Sequence, residues 1–187
     1  MNSLYRALIQ PDIPVDDNSK IWKMKIPLKT KIFVWYLRKG VILRKDNLVR
    51  GIGMVVRNVF CHHDETIRYL FFQCKFARSI WSIIQITSGL SPPSSVTNVF
   101  GNWLHGIDDK YMILFRVGAL AIIWSLWLCR NDKIFNNIVS SSLQVVYRAT
   151  AIIRSWTILQ RMEFRDLFVE GCTRLEDTTR DIFSRNG

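Results

Sequence analysis

The chain is poor in the residues that most site chemistry requires. Among 187 residues there are three histidines and four cysteines, and no Gly-rich phosphate loop is present. His62 and His63 are adjacent and His105 sits in a Gly-flanked polar turn, so no nucleophile, base and orienting group fall into a triad-like arrangement. An enzyme is not expected. Cys61, Cys74, Cys129 and Cys172 form no even, closely spaced framework, which argues against a disulfide scaffold and for a reducing compartment. The opening MNSLYRALIQP lacks the basic-then-apolar run of a secretory leader, so an intracellular protein is expected. The longest apolar run, Val117 to Cys129, is closed by Arg116 and Arg130. It falls well short of the roughly 20 residues a bilayer requires, and a buried core helix is expected in place of a membrane span.

Acid is missing from one stretch in particular. Between Lys20 and Arg57 the chain carries Lys20, Lys23, Lys25, Lys29, Lys31, Arg38, Lys39, Arg44, Lys45, Arg50 and Arg57 against the single acid Asp46. Nearly all of the +11 net charge arises there, whereas the segment after Arg161 is close to balanced. Such one-sided charge exceeds what solubility requires and points to a polyanion, RNA or DNA, contacted by Lys23, Lys25, Lys29, Lys31, Arg38, Lys39, Arg44, Lys45 and Arg50. An anionic membrane surface ranks below it. No pattern for a small-molecule substrate is visible. Trp22, Phe33, Trp35 and Tyr36 interleave with these bases, which is the composition of a base-stacking surface; their helical spacing nevertheless assigns them first to a core.

Apolar residues are plentiful. They make up 49% of the chain, with seven Trp and eleven Phe, so a sizeable core must form. Periodicity predicts a mainly α protein in four parts. Residues 1–19 read as a loose arm, 20–87 as a small helical module, 88–98 (SGLSPPSSVTN) as a Pro/Ser linker and 99–187 as a helical C-terminal region. Within the module a helix runs through Ile32 to Leu37 and stops near Gly40, a short one covers Lys45 to Arg50, and one or two follow over Thr66 to Ile86. Further helices are predicted over Val99–Leu104, Tyr111–Asn131, Leu143–Arg161 and Leu167–Phe183, the third opened by a Ser141/Gln144 capping box.

Cys61 and Cys74 are separated by the twelve residues HHDETIRYLFFQ, a damaged version of a zinc knuckle. Such modules converge four soft or borderline ligands tetrahedrally. Asn58 stands three before Cys61, where a first cysteine would close the turn, and Tyr69 stands five before Cys74, where a histidine would sit on the helix. The surrounding segment resembles the zinc-binding domain that follows the polymerase in plant LINE-type reverse transcriptases. The resemblance is carried by Trp22, Lys23, Pro27, Lys29, Phe33, Trp35, Asn47, Leu48, Cys61, Glu65, Thr66, Leu70, Phe71, Phe72, Cys74 and Trp81. It covers residues 20 to 85 strongly, and IIWSLWLCRNDKIFN extends it to Asn136. Arg44 departs from the family, which usually has Thr there.

The resemblance implies a degenerate zinc-knuckle-like module, a retroelement origin and a nuclear location. It also implies a role in holding template or target nucleic acid. With Asn58 and Tyr69 in two of the four ligand positions, Cys61 and Cys74 are residual ligands. They are expected to bind zinc poorly and to act as buried thiols, and no cofactor is expected. His62 and His63 adjoin Cys61 and are poorly placed to substitute. Reverse transcriptases hold two metals on an aromatic-x-Asp-Asp turn; Asp16–Asp17 and Asp108–Asp109 lack the aromatic and the hairpin, and read as loop or helix-start residues. The expected function is therefore that of a non-catalytic nucleic-acid-binding remnant. The rival is a truncated relic, or one retained as a protein-interaction domain.

Overall fold

The computed structural model describes residues 15–42, 60–61 and 65–185. Seven α-helices and no strand occur among them, so the chain is mainly α. The short helix expected over Lys45–Arg50 lies outside the described residues.

The first helix among the described residues, α1, spans Val15–Lys23 and so begins inside the stretch expected to be a loose arm. Lys20 and Lys23 occupy its last turn, where the helix dipole favours positive charge, and Ile21 is fully buried. The alternation expected from Ser19 onward is thus helical. Pro27 then caps α2, Leu28–Arg38, whose inner face is Thr30, Phe33, Val34 and Leu37. Gly40 ends that run at φ +68°, a conformation that costs a residue without Cβ little.

The stretch expected to hold one or two helices divides at Cys74. Residues Tyr69–Gln73 form a π turn, with the Cys74 amide donating to the Tyr69 carbonyl at 2.9 Å. Cys74 itself is extended and caps α3, Lys75–Ser88, its sulfur accepting the Ala77 amide at 3.3 Å. Gly89 closes α3 in the left-handed region. The next helix, α4, covers Val96–Phe100 and starts three residues before the expected Val99, because the Ser95 hydroxyl accepts the Asn98 amide and fixes the start.

The longest helix, α5, spans Asp109–Asn136, with Asp108 as its cap. It is long and apolar enough to cross a membrane by length and composition, yet half of its most apolar window is buried within the fold. It packs against α4, against α6 (Ser142–Trp156) and against α7 (Met162–Arg185). The capping box on α6 is present with both hydrogen bonds. That helix stops at Trp156, short of the expected Arg161. A 3-10 turn follows, and the buried Gln160 amide donates to the carbonyls of Trp156 and Lys25, holding the turn against the front of the chain.

One apolar cluster runs through these helices. It includes Phe33 and Val34 from α2, Ile80 and Trp81 from α3, Leu120 and Ile123 from α5, and Phe168 from α7. α3 packs on α6 and α7, so elements on both sides of residues 88–98 share this core. Gly118 and Gly171 lie in the interiors of α5 and α7, where glycine costs about 1 kcal/mol relative to alanine.

Candidate functional site

The family-like pattern resolves into three neighbouring features: a ligand corner, a buried ion pair and a basic helical face. At the corner, the chain passes Cys61 close to the π turn, and the Cys61 thiol donates to the Tyr69 hydroxyl at 3.3 Å. Cys74 follows directly and also interacts with Cys61. Three of the four expected ligand positions are therefore brought together, while Asn58, His62 and His63 lie outside the described residues. The π turn makes this possible: one extra residue in the turn sets Tyr69 and Cys74 on a common side while Leu70, Phe71 and Phe72 stay in the core.

The electrostatics of this corner favour neutral groups. Burial, first of all, pushes the Cys74 thiol up to about 11. Contact with Cys61, and then burial, hold the Tyr69 phenol at about 12, since a phenolate would face two sulfurs that cannot neutralise it. Among the described residues no group of three His, Cys, Asp or Glu side chains could hold a metal ion. The phenol fills the place a histidine would take, and it is no usual zinc ligand. Among the described residues, Cys61, Tyr69 and Cys74 do not by themselves make a zinc site.

Glu65 and Arg130 make the second feature. Both are 3% exposed, and Arg130 donates to Glu65 Oε1 through Nε at 3.0 Å and Nη2 at 2.6 Å. The guanidinium also lies over the Trp127 ring at 5.0 Å. Glu65 belongs to the front pattern and Arg130 to the Trp-rich helix, so the pair clasps the knuckle segment to α5. Neither was expected to form a site. An arginine closing an apolar run in the sequence was the available signal, but its partner 65 positions away carried none.

Third, the lysines of α1 and α2 surround an outward face. Side chains 19–42 include seven bases and no acid. Lys23, Lys25 and Lys29 are exposed, Lys29 lying 5.9 Å from the Trp124 ring centre. Lys31 donates to the Trp22 carbonyl at 2.9 Å, Lys39 lies over Trp35, and Arg38 turns inward over Phe100. Arg44, Lys45 and Arg50 lie outside the described residues. The aromatics divide, contrary to their uniform assignment to the core. Phe33 is buried against Phe71, Trp124 and Trp127. Trp22 and Tyr36 are each 44% exposed. Helical spacing explains the difference: Phe33 forms one edge of the buried arc, and Tyr36, three residues on, lies about 60° beyond that edge.

Exposed Arg68, Lys75 and Arg78 flank the corner as well, a second set of bases that the segment's balanced charge concealed. Residues 1–81 match the family described as zinc-binding in reverse transcriptase. No curated protein and no solved structure matches the chain. The match ends at Trp81, within α3, and takes in the basic face, the corner and Glu65 but not Arg130. Over residues 1–81 the chain is similar to a reverse transcriptase zinc-binding domain.

Proposed function

We propose that the chain is a non-catalytic, nucleic-acid-binding remnant of the C-terminal region of a retrotransposon reverse transcriptase, of the plant LINE type. The observation that carries this reading is the stretch 19–42: seven bases without an acid, Lys20, Lys23, Lys25 and Lys29 among them exposed, with Trp22 and Tyr36 exposed beside them. Lysines supply the counterion-release term and exposed rings a surface for stacking bases. Zinc has no part in this reading, which rests on the basic stretch alone.

The test is a filter-binding series with RNA and DNA across salt concentrations. If Lys23, Lys25 and Lys29 neutralise three phosphates, log affinity falls against log salt with a slope of roughly −2 on single strands. Replacing all three with glutamine flattens that slope while leaving the thermal midpoint nearly unchanged, since all are exposed. Affinity indifferent to salt overturns the reading.

A second reading, a protein-interaction domain, is favoured by the apolar residues on the same face. Leu28 is 64% and Ile32 39% exposed, one turn apart on α2. Binding that survives the lysine changes but is lost in Ile32→Glu would select it.

A further inference from the structure

A cavity of about 270 Å³ opens between α3, α5, α6 and α7. Its wall is built from ring and aliphatic carbon, with Trp81, Trp103, Phe115, Ile122 and Phe168 among the lining residues. Tyr111, 41% exposed, brings a hydroxyl to that wall, and the other uncharged polar side chains there are already engaged. Trp81 Nε1 donates to the Phe71 carbonyl at 2.8 Å and Trp103 Nε1 to the Ser91 carbonyl at 2.7 Å. The hydroxyls of Thr87 and Ser88 donate to carbonyls of their own helix, and the Cys172 thiol donates to the Thr150 carbonyl. Charge is confined to the mouth, where Arg174 and Glu170 pair with each other at 2.7 Å in largely exposed positions.

Two glycines hold this space open. Gly118 on α5 and Gly171 on α7 both line the cavity, and both sit in helix interiors where alanine is the better residue. Crowding does not require either. A Cβ at Gly118 would meet nothing within 4 Å, and one at Gly171 would meet only the Leu114 methyls at 3.5 and 3.6 Å, an ordinary contact. Nor does backbone conformation require them, because neither has a positive φ. The chain therefore forgoes helix stability at two positions where a methyl group would also fill the void.

We propose that this cavity is a binding site for an uncharged, planar aromatic molecule. An apolar void of about 150 Å³ suffices for benzene, so this one accommodates a two-ring system lying against the indole faces. Apart from the Tyr111 hydroxyl, the uncharged side-chain donors of the wall are engaged, so a ligand carrying a buried charge would lose its hydration without compensation and be rejected.

Titration of the full chain with naphthalene, a neutral and planar two-ring fluorophore, followed by emission and by thermal midpoint, tests the proposal. The chain is expected to bind the probe saturably and to melt higher in its presence. Gly118→Ala is expected to raise the midpoint of the free protein by about 2–4 °C and to weaken the probe. Gly118→Leu, retaining the helical signal, is expected to weaken it by about tenfold or more, because the side chain occupies the ligand's place. Should the leucine variant misfold, the alanine variant decides alone. No saturable binding by the unaltered chain, or affinity unchanged in the Gly118 variants, overturns the proposal.

Discussion

Five residues apart in sequence, Glu65 and Leu70 open and close a segment that passes from the clasp to the ligand corner, and the two features differ in what holds them. The corner keeps Cys61, Tyr69 and Cys74 together through a thiol–phenol hydrogen bond and burial. The clasp places a full ion pair in the interior, Glu65 against Arg130, tying the knuckle segment to a helix outside the residues matched by the family. A bound metal would fix a small module from within. Here the same segment is fixed from outside, by α5 and by the packing of Phe71 and Phe72. The difference teaches that a buried ion pair and apolar packing hold this segment to the rest of the fold, whatever the corner itself binds.

The sharpest way to break that comparison is to cut the clasp. Arg130→Met leaves the Glu65 carboxylate buried without its cation, and denaturant unfolding is expected to show a loss of about 3–5 kcal/mol. Adding Glu65→Leu in the same chain is expected to recover most of that loss, since an apolar pair of similar volume carries no desolvation cost. A single variant as stable as the unaltered chain would show that α5 does not hold the front.

A somewhat smaller effect is expected from rebuilding the corner. Asn58→Cys with Tyr69→His supplies four usual ligands, and free zinc at about 1,000 times its dissociation constant is expected to stabilise this variant by about 4 kcal/mol. The thermal midpoint should rise in zinc and not in chelator, with bound metal measured on the same sample. Absence of any zinc dependence in the double variant would separate the corner from a former metal pocket.

The smallest effect concerns alkali. Burial raises the Cys74 and Cys172 thiols from the ordinary 9.0 to about 11, so the folded state favours the protonated form. Stability from these groups is complete below pH 9 and drains away as pH climbs from 9 toward 11. Thermal midpoints should be level through neutral pH and fall above 9, and Cys172→Ala should make the fall shallower. A midpoint that holds level from pH 8 to 11 would contradict the buried-thiol description of both cysteines.

Much of the helical layout was legible because its signals are local. The Ser141/Gln144 box needs only two residues at the right spacing, and it formed as read. Ends decided by distant partners were not legible. Helix α6 stops at Trp156 because Gln160 reaches Lys25, 135 positions away, and no local residue announces that. The arm expected over residues 1–19 becomes helix from Val15, in a segment whose Ile21 finds burial that sequence periodicity did not show. In the candidate site, the spacing of Cys61, Tyr69 and Cys74 pointed to a shared corner, whereas the π turn that assembles it leaves no mark in composition.

By itself, the sequence determined the helical class, the family of the front segment and the one-sided charge of residues 20–57, because composition, period and charge are additive along a chain. Tertiary structure alone decided which aromatics face outward, which arginine is buried against Glu65 and where two helix glycines leave a cavity. Those outcomes depend on which faces meet, and a pair 65 positions apart is fixed by packing geometry that no window of the sequence contains.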